Sequence, residues 1–273
     1  MAKEHFDIAI VMVPYNKISD LPSVARLQER SSLRIGFVCV DNASTKIDVQ
    51  KEVTAQIKDA IVILRDGNYG MGSSSNKGAR EVSADYYFFL NPDTSLKDPL
   101  VLDRLYAFIK NHPKVGIVAP RLHYPDGRLQ ETCRRFPKWY MPFVQRLPSI
   151  TRSIKKGKAY ADHFVMKDYD HATSRMVDWV QGSALLIDAA LFHEVGGFDD
   201  RFWMYFEDTD LCRKVWEKGR PVYYVPSVVI MHEYGKGSEA KNGLVRTLLR
   251  NKLARAHIKS WLAYTAKWRG KSL

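Results

Sequence analysis

Cysteine is scarce in this sequence. The 273 residues contain three, Cys39, Cys133 and Cys212, far apart, odd in number and without a Cys-x-x-Cys pair, which argues against both a disulfide framework and a zinc ribbon. They read as reduced thiols of a cytosolic protein. Long apolar runs are missing as well: Phe6 to Val13 is too short to span a bilayer and carries no cleavage site, and no later run is long enough. There is no internal repeat. The one glycine-rich stretch, with Gly67, Gly70, Gly72 and Gly78, matches neither a Walker A loop nor Gly-x-Gly-x-x-Gly.

What is present has ordinary globular usage, 45% hydrophobic and 26% charged, so wholesale disorder is excluded. The length suits one large α/β domain or a domain with a substantial extension. The formal charge of +12 is concentrated. Residues 128–158 hold nine Lys or Arg against one acid, residues 236–273 hold ten against one, and the rest carries 23 basic against 28 acidic residues. A slightly acidic body with two basic appendages points to an anionic surface met by those appendages.

Buried-strand runs at Phe6–Val13, Leu33–Val40, Ala60–Leu64, Tyr86–Leu90 and Val115–Ala119 alternate with polar, helix-length segments, which predicts a doubly wound, mostly parallel sheet. Ligands of such sheets bind beyond the carboxyl ends of the strands, where Tyr15, Asn16, Asp41, Asn42, Asn91 and Asp93 stand. From Pro120 a basic, aromatic, proline-interrupted segment reads as an irregular excursion. Regular structure resumes with Trp179–Ile187, a short helix to Val195, a helix to Lys218, short strands at Pro221–Val225 and Val228–Met231, and a tail of broken helical periodicity.

One stretch, Gly196 to Leu211, sets five carboxylates (Asp199, Asp200, Glu207, Asp208 and Asp210) among five aromatics. Like charges beside apolar rings are costly, so a stretch built only for stability would avoid them, although a helix N-terminus also attracts acids. Other motifs have bland readings too. Gly67–Gly78 opens a helix and could face an anion or be a loop and cap. Asn91-Pro92-Asp93 is a turn or an oxygen ligand for a hard cation, and His232 is a structural histidine or a ligand.

In this order the pieces resemble the family 2 glycosyltransferases of the GT-A fold, from Phe6 to about Gly237, and especially bacterial rhamnosyltransferase-like members. Pro14-Tyr15-Asn16 resembles the first nucleotide-contacting loop, Asp41-Asn42-Ala43-Ser44 the D-N-x-S loop, Asn68-Tyr69-Gly70 through Gly78 the N-x-G…N-x-G element, and Asn91-Pro92-Asp93 the D-x-D motif. Gly196-Gly197-Phe198-Asp199, Phe206 to Leu211 and His232 resemble the acceptor half. Asn91 departs from the pattern, standing where many relatives have the first Asp of D-x-D.

The resemblance implies a GT-A α/β fold with helices on both faces of the sheet, plus a basic C-terminal helical extension. Residues 1–120 would be the nucleotide-sugar half, 121–238 the acceptor and catalytic half, and 239–273 the extension. The implied reaction is inverting transfer of a sugar, L-rhamnose from dTDP-L-rhamnose in first place, to a hydroxyl of a growing cell-surface polysaccharide or lipid-linked glycan. Asp208 would be the base, with Glu207 orienting it or touching the acceptor. Pro14, Tyr15, Asn16, Asp41, Asn42, Ser44, Asn68, Gly70, Asn76, Asn91 and Asp93 would bind the donor; Gly182, Trp203, Tyr205 and Glu207 the acceptor; Asp93 and His232 a Mg²⁺ or Mn²⁺ ion. Trp261, Tyr264 and Trp268 among basic residues suit an anionic surface at the inner face of the cytoplasmic membrane, the alternative being a solvated helix or a dimer contact. No nucleic-acid partner is expected. A non-catalytic module binding sugar nucleotides or polyanions is the competing class, and a nucleotidyltransferase is disfavoured because no Gly-rich, Arg- and Lys-bearing signature follows the first strand.

Overall fold

The computed structural model describes residues 4–141, 155–233 and 251–271. The first part of the chain runs β1 (His5–Met12), α1 (Leu21–Arg30), β2 (Ile35–Asp41), α2 (Val49–Thr54), β3 (Ile61–Leu64), α3 (Met71–Glu81), β4 (Ser83–Leu90), β5 (Thr94–Ser95), α4 (Val101–Asn111) and β6 (Ile117–His123). It continues through β7 (Leu129–Gln130), β8 (Cys133–Arg134), α5 (Lys155–Phe164), β9 (Arg175–Val177), β10 (Trp179–Val180), β11 (Ala184–Asp188), α6 (Ala189–Glu194), α7 (Glu207–Glu217), β12 (Val222–His232) and α8 (Lys252–Trp268).

Strands β3, β2, β1 and β4 pair in parallel in that order. β11 then inserts antiparallel between β4 and β6, and β12 follows parallel to β6 with β5 along its far edge. The two-residue period of the strands sorts their side chains between two cores. Ile8, Ile10, Phe37 and Phe88 face Leu21, Val24 and Leu27 of α1 and Leu102, Leu105 and Ile109 of α4. Ala9, Val11, Val38, Val40 and Phe89 share the opposite core with Ala79 of α3, Leu211 and Val215 of α7 and Tyr264 and Trp268 of α8. Helices thus cover both faces, as a strand buried on both sides requires.

Three expected strand boundaries change. β6 runs through Pro120 to His123, because its ladder to β11 ends at Val118 and the one to β7 begins only at Leu122, so that Pro120 falls in the gap between them. The two short strands before His232 are one strand, β12, whose register shifts between Val225 and Val229, and Pro226 sits in that irregularity, where a missing N–H is tolerated. Trp179–Ile187 is not continuous: β10 ends at Val180, β11 starts at Ala184, and the Gly182 N–H between them donates to the Asp208 carboxylate (2.9 Å) instead of to a ladder.

The tail also departs from expectation. Tyr264 and Trp268 are buried in the core instead of facing outward. The cause is the fully buried Asp210 carboxylate, which accepts from Trp268 Nε1 (2.8 Å) and Lys267 Nζ (2.8 Å), while Lys267 also reaches Asp199 (2.7 Å). The periodic Leu244 and Leu248 lie outside the described residues. No helix among the described residues is long and apolar enough to cross a membrane.

Candidate active site

The carboxyl ends of β1, β2 and β3 carry a hydrogen-bonded shelf. Asn42 is its centre: its Oδ1 accepts from Tyr69 N (3.0 Å) and Ser74 Oγ (2.9 Å), and its Nδ2 donates to Asn68 Oδ1 and Gly70 O (both 3.2 Å). The Asn42 N–H donates to Pro14 O (3.0 Å). Asn16, in the left-handed region at φ 61°, accepts from Thr45 N (2.7 Å) and Lys46 N (2.9 Å) and donates its own N–H to Ser44 Oγ (2.7 Å). Asp41 accepts from Ser44 N (3.0 Å), and Tyr15 stands 52% exposed at the rim. Pro14, Tyr15, Asn16, Asp41, Asn42, Ser44, Asn68 and Gly70 therefore come together as one surface.

Two residues expected at a ligand brace that shelf instead. Trp203 does not line the neighbouring cleft; its Nε1 donates to Asn68 O (3.0 Å), and its carbonyl lies 1.9 Å from where a Cβ on Gly70 would fall. Gly70, at φ 84°, is thus required both by its conformation and by the approach of this backbone. Asn76 is buried, with Oδ1 accepting from Phe198 N (2.9 Å) and Nδ2 donating to Phe198 O (2.8 Å). Its amide latches α3 to the Gly196–Asp199 turn.

Beside the shelf lies a cleft of about 430 Å³ bordered by the ends of β4 and β12, the β8–β10 ribbon, the start of α7 and α8. It brings together Asn91, Asp93, Gly182, Tyr205, Glu207, Asp208 and His232. Tyr205 and Phe206 both adopt φ 68°, a left-handed aromatic pair of the kind that persists only where surroundings over-determine it. Here those surroundings are the His257 ring against both aromatics (4.9 and 5.5 Å between centroids) and Ser260 Oγ donating to Met204 O (2.8 Å), all from α8. This strained turn delivers Glu207 and Asp208 into the first turn of α7.

The two carboxylates sit in unlike environments. Asp208 accepts from Gly182 N on one oxygen and from Thr209 N (2.7 Å) on the other; burial raises its carboxyl above the ordinary carboxylate range, and these donors and the charge of Arg134 offset only part of that rise. Glu207 is 5% exposed and its Oε2 has no hydrogen-bond partner among the described residues. Burial, then the charge of Asp208, hold its carboxyl well above the ordinary carboxylate range. Of the pair, Asp208 is built to carry the negative charge and Glu207 to stay neutral.

Across the cleft, His232 Nε2 lies 3.2 Å from Asp93 Oδ1. The tautomer follows from the neighbouring amide: Gln130 Nε2 donates to the His232 carbonyl (2.6 Å), so its Oε1 faces His232 Nδ1 (2.9 Å) and accepts that proton. Nε2 faces the Asp93 carboxylate and lies 3.4 Å from Asn91 Nδ2. A histidine oriented through its far nitrogen and set beside a carboxylate is an arrangement able to hold a metal ion. No group of three or more His, Cys, Asp or Glu side chains gathers in this way among the described residues, so the ligands on offer there are Asp93 and His232.

Some lining residues gave little sequence signal. Arg134, Gln181, Ser183, Thr209, Leu253 and His257 also line the cleft. Arg134 lay in a basic segment that hid it among other arginines, and His257 reaches the site only because α8 folds back.

Comparison with known proteins gives consistent results. The chain is 27% identical over 246 residues to the N-acetylglucosaminyl-diphospho-decaprenol L-rhamnosyltransferase of Mycobacterium tuberculosis, covering 82% of this chain and 75% of that one. It is 28% identical over 218 residues to the rhamnosyltransferase WbbL of Escherichia coli, covering 76% and 74%. Among solved structures it is similar to GalNAc-T7 with UDP, GalNAc and Mn²⁺, with a TM-score of 0.63 at 15% identity, covering 97% of this chain and 48% of that one. Residues 9–172 match the model of the glycosyl transferase family 2. With a GT-A sheet and that match over more than half of its length, the chain belongs to glycosyl transferase family 2.

Proposed function

We propose that this enzyme transfers a sugar, with inversion at its anomeric carbon, from a nucleotide-diphospho-sugar to a hydroxyl of a glycan. The favoured donor is dTDP-L-rhamnose and the favoured acceptor a cell-surface polysaccharide precursor or lipid-linked glycan, in keeping with the names of both relatives. One observation carries the reading: Asp208, gripped by two backbone N–H groups, shares a cleft with the Asp93–His232 pair beside the polar shelf.

The shelf would take the nucleotide, with Asp41 reading base or ribose, Tyr15 packing near the base and Asn42 holding the shelf in shape. The residues up to about 120 then serve the donor, and those from 121 to 238 the acceptor. Asp93 and His232 would hold a Mg²⁺ or Mn²⁺ ion, whose chemistry is to offset the charge of the departing diphosphate. Asp208 receives the proton of the acceptor hydroxyl, and the neutral Glu207 beside it supplies a hydrogen-bond donor without adding a second negative charge. Tyr205 and Gly182 flank the acceptor. A lipid-linked acceptor would bring the chain to the inner face of the cytoplasmic membrane.

A panel of dTDP-, UDP- and GDP-sugars, each measured by calorimetry with and without Mn²⁺, tests the reading. Metal-stimulated binding of one class, followed by transfer from it, is expected. Salt-sensitive polyanion binding with no nucleotide preference would place the chain in the non-catalytic class instead.

A further inference from the structure

The cleft is chemically mixed. Its acids are Asp93, Glu207 and Asp208, and an anion entering among them is repelled unless a cation offsets them. Its lining also holds Met141, Phe164, Trp179, Met204 and Leu253, with one guanidinium among the described lining residues, that of Arg134, which is grouped with Phe164 and Trp179. Arg134 is held ready. Its position on β8 is register partner to Trp179 on β10, and its guanidinium carbon lies 5.3 Å from the Trp179 ring and 5.7 Å from the Phe164 ring. Nε and Nη2 donate to the Glu131 carbonyl (3.3 and 3.1 Å), while Nη1 makes no hydrogen bond among the described residues.

A counter-ion for Asp208 would look different. The Arg134 charge is felt at Asp208, yet no ion pair within 4.0 Å joins them among the described residues, and Asp208 has its own backbone donors. A fixed cation with an unspent N–H, set among hydrocarbon walls and next to the base, matches a ligand that is anionic at one end and apolar beyond it. Such a ligand is a lipid phosphate.

Building on the transfer reading above, we propose that Arg134 and this apolar wall form the subsite for a lipid diphosphate that carries the acceptor sugar, with Arg134 bonding the diphosphate and the wall receiving the first part of the hydrocarbon. The geometry assigns Arg134 to the acceptor and not to the donor nucleotide, and makes it a specificity residue for lipid-carried sugars.

Direct binding tests this without turnover. Undecyl diphosphate, titrated into wild type, Arg134→Ala and Arg134→Gln, should lose about tenfold or more in affinity in both variants, with Arg134→Lys intermediate. Inorganic diphosphate should bind more weakly than undecyl diphosphate to the wild type, because it leaves the wall empty. Binding of the preferred nucleotide with Mn²⁺ should stay within about twofold, which also reports that each variant is folded. Equal affinity of wild type and variants for undecyl diphosphate would overturn the proposal, as would a parallel loss of nucleotide binding or equal binding of the two diphosphates. In turnover, KM for N-acetylglucosamine on an alkyl diphosphate should rise in Arg134→Ala by the same factor while KM for an alkyl glycoside of that sugar stays within about twofold, any change in kcat from the lost charge near Asp208 being common to both acceptors. A wild type that glycosylates neither acceptor counts against the transfer reading, and the binding experiment still decides the role of Arg134.

Discussion

The shelf at the ends of β1 to β3 and the cleft at the start of α7 are neighbours built on opposite plans. On the shelf nearly every polar group named has a partner: the Asn42 amide alone makes four hydrogen bonds, and the Asn16 and Asp41 side chains are spent on backbone N–H groups. In the cleft a buried Glu207 oxygen has no partner among the described residues, two aromatics hold left-handed φ angles, and His232 faces a carboxylate. A satisfied network fixes shape and costs nothing further when a ligand arrives, whereas unspent groups are poised for charge that develops during reaction. Rigidity and reactivity are thus kept in separate parts of one sheet edge, joined by Trp203 and Asn76.

Substitutions can break that division from either side. Asp208→Asn should have the largest effect, lowering kcat by about 10³-fold while nucleotide affinity stays within about twofold, because it removes a base from the cleft and nothing from the shelf. Next, Asp93→Ala and His232→Ala should each weaken Mn²⁺-stimulated nucleotide binding by about 10- to 100-fold and leave metal-free binding unchanged, as titrations with and without the ion would report. Asn42→Ala should act chiefly through stability: by leaving several buried partners unsatisfied it should cost about 3 kcal/mol and lower the melting temperature by several degrees, together with weaker nucleotide binding.

Glu207→Gln should have the smallest effect and the opposite sign. Because the folded state raises the Glu207 carboxyl, it binds that proton more tightly than the unfolded chain does, so native stability is fully present below the ordinary Glu value of about 4.3 and declines as pH rises towards the raised one. The amide removes that decline. The melting temperature of Glu207→Gln relative to wild type should therefore increase from pH 5 to pH 8, and a difference independent of pH would contradict a neutral Glu207.

Much of the shelf was legible because it is local: short loops after apolar runs, with Asn, Asp, Ser and Gly where turns need them, announce strand ends wherever they fall. The acidic-aromatic stretch was legible for the opposite reason, since stability alone does not explain it. What the sequence hid is long-range. Trp203 read as a wall for a sugar ring, but its indole N–H finds Asn68 O, 135 residues away. Tyr264 and Trp268 read as surface aromatics because their neighbours are basic, and only the buried Asp210, which one of those neighbours must meet, explains why they turn inward. Gln130, which sets the His232 tautomer, stands in an irregular segment with no motif around it.

In the proposed reaction one base on the acceptor side of this cleft, opposite a metal-held diphosphate, would move the sugar in a single displacement. Its most direct test is the anomeric configuration of the product, read by NMR from a nucleotide sugar of known configuration in the presence of Mn²⁺. A glycosidic bond inverted relative to the donor is expected; a product that retains the donor's configuration would rule out single displacement.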